Sequence, residues 1–210
     1  MSVRNRTTRG LVSSEHVVQF FDTDESRAQN VAVFLAEGYG AGEPILIIAR
    51  PANLTAIFAQ LERLGVPVDR AVADGMLVAR DAEETLRRMS PRGAPEARCF
   101  ASAVGEAAIA LARRGRIRAY GEMVDILAQR GDLTAAVSLE GFWNDFGERV
   151  SVSLLCGYSA AHFVSTSTHR ALLEICQAHS GVHRDLEDPL GSWLLNTAHN
   201  SAASSRSLRH

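Results

Sequence analysis

The chain has 210 residues, 46% of them hydrophobic, with 22 basic and 24 acidic side chains and a formal net charge of −2. A balance so near neutrality leaves no electrostatic basis for direct nucleic-acid binding or for docking on an anionic membrane, and the length suits one domain with a full-sized core. Arg4, Arg6 and Arg9 are followed by no apolar segment of the secretory kind, and no apolar run, residues 45–49 included, exceeds six residues, far too short to cross a bilayer, so a cytoplasmic protein is expected.

Residues 1–14 are polar and aperiodic and are expected to form a flexible leader. Residues 16–20 read as the first strand. Asp22 then stands as an N-cap with Glu25 three residues on, a variant of the capping box. The helix that follows is expected to reach about Gly38, with Ala28, Val31, Phe34 and Leu35 on its buried face. The strand-to-helix turn, Gln19 to Ser26, carries three carboxylates and neither Gly nor Lys. A phosphate loop needs glycines for close backbone approach and a Lys that reaches the terminal phosphates. All 22 basic residues of this chain are Arg, so the loop is read as degenerate and nucleotide hydrolysis is not expected.

Residues 45–49, without a polar side chain, read as a fully buried strand. Pro51 opens a second helix at its favoured first position, with Leu54, Ile57, Phe58, Leu61 and Leu64 on one face and Gly65 after it. Residues 76–79 form a third strand behind an Asp74-Gly75 turn, and 82–89 a short helix. A loop over 90–95 leads into a long helix from about Glu96 to Arg114, striped by Phe100, Val104, Ala107 and Leu111. Residues 117–120 are the fourth strand, broken by Gly121, and 123–129 are helical. Asp132 caps a helix carrying Ala136, Leu139, Phe142, Trp143 and Phe146. Residues 150–156 make the fifth strand and 168–178 the last helix. Beyond His183 the chain turns polar, and 185–210 are expected to be a tail, at least partly disordered.

Strands alternating with helices predict an α/β fold in three layers, a mainly parallel central sheet with helices on both faces. Ligands in such sheets bind outside the carboxyl ends of the strands. Those ends carry Phe20, Phe21 and Asp22; Arg50; Arg80 and Asp81; Tyr120, Gly121 and Glu122; and Cys156, Gly157 and Tyr158.

The stretch His16 to Phe21, Gly42-Glu43 before an apolar strand, and Asp74-Gly75-Met76-Leu77 resemble the MEDS domain. So do Tyr120-Gly121-Glu122-Met123, Leu139-Glu140 with Trp143-Asn144, and Leu155-Cys156-Gly157-Tyr158. That domain is named from methanogen and methylotroph proteins and from the sensory part of a dichloromethane-responsive repressor. The resemblance spans residues 15–184 and implies a signal-input domain with a RecA-like, P-loop-type fold, related to ATPases of the clock-protein type. It also implies a regulatory protein partner (a kinase, an anti-sigma factor or a transcription regulator), because such domains are commonly joined to modules of that kind and none is recognisable here. A homo-oligomer is compatible with this reading.

A ligand site is expected from Phe20, Phe21, Asp22, Tyr120, Gly121, Glu122, Trp143, Asn144 and Tyr158. An aromatic lining with few polar groups suits a small uncharged organic molecule better than a phosphate ester. No catalytic residue, metal ligand or cofactor is expected. Glu122 divides between a site role and that of a helix-capping partner, while Asp22 and Asp24 read as helix-start residues. His16 and His179 read as structural, and Cys156 as a small buried hydrophobe. Cys99, Cys156 and Cys176 have neither metal nor redox spacing and are expected as reduced thiols. Two alternatives stay open: a divergent RecA-like ATP-binding protein or ATPase with Arg27 in place of the lysine, and a ligand-free protein-interaction module.

Overall fold

Strand β2 (Ile45–Ala49) is apolar and buried at every position, because a strand with helices on both faces has no solvent side to alternate with. Its neighbours are β3 (Leu77–Asp81) and β4 (Ile117–Gly121); beyond β4 lie β5 (Val152–Ser159), β1 (Ser14–Phe21) and the two-residue β6 (Gly181–Val182). The structure is a computed structural model that describes residues 14–182. Its six strands follow the order β3-β2-β4-β5-β1-β6, and every pairing is parallel.

Alternation along each strand feeds two cores. Ile45 and Ile47 face the first core, with α1 (Asp24–Gly40), α2 (Pro51–Arg63) and α3 (Val68–Ala73) over it; Val31, Leu35, Ile57 and Leu61 close this layer. Leu46 and Ile48 face the second core. It is covered by α4 (Ala82–Met89), then by α5 (Ala97–Phe100) and α6 (Glu106–Ala112) joined through a π-turn at Ala101–Gly105. The helices α7 (Met123–Gln129), α8 (Leu133–Gly147) and α9 (His169–Ala178) complete that layer, which buries Leu86, Phe100, Leu139, Trp143 and Ile175. Each fully buried Leu or Ile contributes about 1.5–3 kcal/mol. The expected three-layer α/β fold is therefore present, with the sheet wholly parallel among the described residues.

Handedness decides which helix lies on which face. From β1 and β2 the chain moves toward the β3 edge, and its helices cover the first core. From β3, β4 and β5 it moves toward the β6 edge, and its helices cover the second. Adjacent strands thus send the chain to opposite faces at β3/β2, at β2/β4 and again at β5/β1, and crevices open at such points.

Several boundaries differ from the sequence expectation. Thr23, not Asp22, caps α1: its hydroxyl accepts from the Ser26 N–H at 3.1 Å, and Asp22 is left exposed in the turn. α1 continues past Gly38 to Gly40 because Gly38 answers a packing demand, a β-carbon there lying 2.5 Å from Arg118 Nε. Leu64 is 50% exposed, because α2 has ended and Leu64 is its C-cap. The helix α3 and the strand β6 went unforeseen, since six and two residues are too few to show a period. Ser14 already belongs to β1; the rest of the expected leader, and the tail, lie outside the described residues. No helix among the described residues is long and apolar enough to cross a membrane.

Candidate functional site

Where β4 ends, the N–H of Glu122 still donates to Ile48 O at 3.0 Å, so the sheet itself delivers this residue to the β2/β4 crevice. Glu122 occupies the N-cap position of α7 but caps nothing with its side chain. Its carboxylate, 0% exposed, turns inward. Oε1 accepts from the backbone N–H of Arg50, and Oε2 accepts from Asn53 Nδ2 at 2.8 Å and from the Tyr120 hydroxyl at 3.2 Å. The capping alternative for Glu122 is thereby replaced by a buried acceptor that ties β4 to the start of α2.

Asp125, one turn along α7, extends the network. Its Oδ2 accepts from Arg50 NH1 at 2.8 Å, and its Oδ1 accepts from the Ser159 N–H at 2.6 Å and lies 3.2 Å from His162 Nε2. Arg50 NH2 also donates to Gln129 Oε1 at 3.0 Å. Arg27 enters from α1, 3% exposed, with NH1 at 3.7 Å from both Glu122 and Asp125 and its guanidinium 5.3 Å above the Phe21 ring. The ends of β1, β2, β4 and β5 are thus joined by two carboxylates and two guanidiniums, which balance in charge.

Burial opposes a charge on Arg27, but the neighbouring Tyr120, Asp125 and Glu122 outweigh it and hold the guanidinium above its ordinary range. Burial, reinforced by Glu122, pushes the Tyr120 phenol far up, so it remains a neutral donor. One feature is unbalanced: Arg27 Nε and NH1 are buried and form no hydrogen bond, their nearest carboxylates being Asp24 at 3.6 Å from Nε and Glu122 and Asp125 at 3.7 Å from NH1. A second is unfilled space at Gly121. This residue is in register with Ile48 and Cys156, whose side chains face the second core, yet a β-carbon on it would meet no atom within 4 Å.

A second polar cluster lies on the other face of the sheet, inside the second core. Glu140 of α8, 0% exposed, accepts from the Tyr158 hydroxyl at 2.7 Å and meets His16 Nε2 at 3.2 Å, Cys156 Sγ at 3.1 Å and His179 Nε2 at 3.5 Å. Burial opposes its charge, but His179 and His16 outweigh burial and hold the carboxyl well below its usual range. Burial likewise works to lower His179, and Glu140 overrides it to raise the imidazole. Burial, then Glu140, pushes the Cys156 thiol up.

The nine residues expected to share one site are divided by the sheet. Tyr120, Gly121 and Glu122 sit at the carboxyl-end network with Phe21 beneath Arg27, while Asp22 is exposed in the turn. Asn144 and Tyr158 belong to the second cluster. Phe20 packs on Tyr158 and Phe163 with ring centroids 5.7 and 5.4 Å away, and Trp143 packs on Phe100 at 5.0 Å. Asn53, Asp125, Gln129 and His162 escaped the sequence reading. The available signal was Asp125, a carboxylate three residues after Glu122 in a helix that is otherwise apolar up to Gln129.

Residues 15–180 match the family model described as MEDS, the MEthanogen/methylotroph, DcmR Sensory domain. No curated protein matches the chain.

Proposed function

The chain belongs to the MEDS family of sensory domains, and from that premise we propose that it has a sensory and regulatory role. In this reading it binds a small uncharged organic molecule at the carboxyl-end network, performs no catalysis, and signals through a regulatory protein partner in the cytoplasm. The observation that carries the ligand reading is Arg27, two of whose buried donors form no hydrogen bond and reach carboxylates only at 3.6–3.7 Å, inside a network already balanced in charge. A buried donor without an acceptor costs about 1–3 kcal/mol. An anion would upset the balance that Asp125 and Glu122 complete, whereas a neutral oxygen acceptor would satisfy Arg27 without doing so.

Absence of catalysis fits the saturation of the carboxylates. Glu122 accepts from three protein donors, and Asp125 is held by Arg50, Ser159 and His162. Neither is free to serve as a general base or to hold magnesium. The same geometry weakens the ATPase alternative, because Arg27, its substitute for lysine, points into the protein. Signalling follows if the ligand prefers an arrangement in which the four tied strand ends have shifted.

The test is a thermal melt and native mass spectrometry of the purified protein against a panel of short alcohols, ketones and halomethanes, with Mg-ATP as the contrast. Binding of an oxygen-bearing neutral compound must raise the melting temperature by mass action, and Arg27→Met must abolish that rise. Stabilisation by Mg-ATP with magnesium-dependent turnover, or a ligand shift unchanged in Arg27→Met, would overturn the reading.

A further inference from the structure

We propose that His16, Glu140, Cys156 and His179 form a closed four-ligand site for a zinc-type divalent cation, tying β1, α8, β5 and the end of α9 together inside the second core. The site is independent of the ligand reading above and lies on the opposite face of the sheet from Arg27.

All four residues are buried, and their ligating atoms lie within 4.8 Å of one another. The edges of the set are His16 Nε2 to Cys156 Sγ at 3.2 Å, His16 Nε2 to Glu140 Oε2 at 3.2 Å, Cys156 Sγ to Glu140 Oε2 at 3.1 Å and His179 Nε2 to Glu140 Oε1 at 3.5 Å. Tetrahedral zinc, with its bond lengths to nitrogen, oxygen and sulfur, separates its ligands by roughly 3.3–3.7 Å. The triangle of His16, Cys156 and Glu140 Oε2 sits just inside that range, and His179, within 4.8 Å of the others, would complete the fourth corner by a small inward shift. Two imidazoles, one carboxylate and one thiolate are the donor types zinc takes, whereas magnesium and calcium require oxygen.

The outer groups point the same way. His16 Nδ1 lies 2.8 Å from Asn144 Oδ1, and the Asn144 amide is oriented by its Nδ2 donating to Ala178 O at 2.9 Å. His179 Nδ1 lies 2.6 Å from Ile175 O. Each oxygen can only accept, so both Nδ1 atoms carry the proton, and each Nε2 of a neutral imidazole presents a lone pair to the cluster. Metal-bound histidines are held in this way. His179 Nε2 is buried and has no hydrogen-bond partner, an orphan aimed into the site.

Charge balance admits a cation as readily as a proton. One imidazolium beside the Glu140 carboxylate sums to zero but leaves the other imidazole's lone pair and the Cys156 sulfur without a positive partner. With both imidazoles protonated, the cluster buries a net positive charge. A divalent cation with the Glu140 carboxylate, the Cys156 thiolate and two neutral imidazoles also sums to zero and engages all four side chains at once. On coordination the Cys156 thiol proton and any imidazolium proton leave to solvent.

The experiment uses the full chain, stripped with a chelator and titrated with Zn²⁺ and, separately, Co²⁺. One Zn²⁺ per chain is expected, with an X-ray absorption shell of one sulfur and three nitrogen or oxygen atoms. Co²⁺ should give tetrahedral visible bands and a thiolate charge-transfer band that Cys156→Ser removes and Cys99→Ser keeps. Asn144→Ala, which touches the site through His16 and through the Ala178 carbonyl beside His179, should weaken Zn²⁺ binding by about 10–100-fold. Failure of the wild-type chain to take up Zn²⁺, a sulfur-free shell, or an octahedral Co²⁺ spectrum would each overturn the proposal. Because the absorption shell is read on the unmutated protein, a variant that fails to fold does not shield the proposal from these outcomes.

Discussion

Glu122 and Glu140 are both 0% exposed and sit on opposite faces of one sheet, yet the two carboxylates are compensated in different ways. Around Glu122 the positive partners are Arg27 and Arg50, which never lose their protons in the physiological range. Around Glu140 they are the imidazoles of His16 and His179, with the Cys156 thiol alongside, and the charge on His179 depends on pH. The first region keeps one charge state among the strand ends. The second is adjustable, because its balance depends on what occupies the space between the side chains.

The largest expected effect tests whether both charges are structural. Glu122→Gln and Glu140→Gln should each cost about 3–5 kcal/mol near neutrality, since removing one member of a buried ion network leaves the others uncompensated. Urea melts of both variants measure this, and a loss below about 1 kcal/mol in either would mean that its network relaxes around the change. Leu61→Ala serves as an apolar reference. The residue is fully buried in the last turn of α2, so about 2–5 kcal/mol should be lost, independent of pH.

Acidity sharpens the contrast. In metal-stripped protein Glu140 is held below its ordinary value of 4.5, so its contribution is complete above that value and fades as the pH falls through the depressed one. His179 is raised above 6.5, so its contribution is complete below 6.5 and fades as the pH rises through the elevated one. The stabilisation from this cluster should therefore be greatest between about pH 4.5 and 6.5. Melts across pH should keep that profile in Glu122→Gln and lose its alkaline limb in His179→Gln. An unchanged alkaline limb in His179→Gln would assign the titration elsewhere.

The smallest effect concerns Gly121, which lies beside both regions. Its φ is not left-handed and a β-carbon there meets open space, so Gly121→Ala should raise stability by about 0.4–1 kcal/mol. A loss in the same melts would show that the space is already claimed in solution.

Much of the scaffold was legible because its signals are local. The unbroken apolar run of β2 and the Leu54, Ile57, Leu61 spacing of α2 are properties of consecutive residues, and parallel topology follows from the alternation of such segments. Glu122 was found for a similar reason, since a strand end is visible in the chain and topology assigns it to a crevice. The division of Phe21 and Tyr120 from Phe20, Trp143 and Tyr158 was not visible, because one residue of offset along a strand moves a side chain to the other core. His16 and His179 likewise read singly as a strand opener and a helix end. A buried charge is tolerated only when partners from distant segments surround it. That condition is set by the register of β1 against β5 and the packing of α8 and α9, and no run of consecutive residues records it.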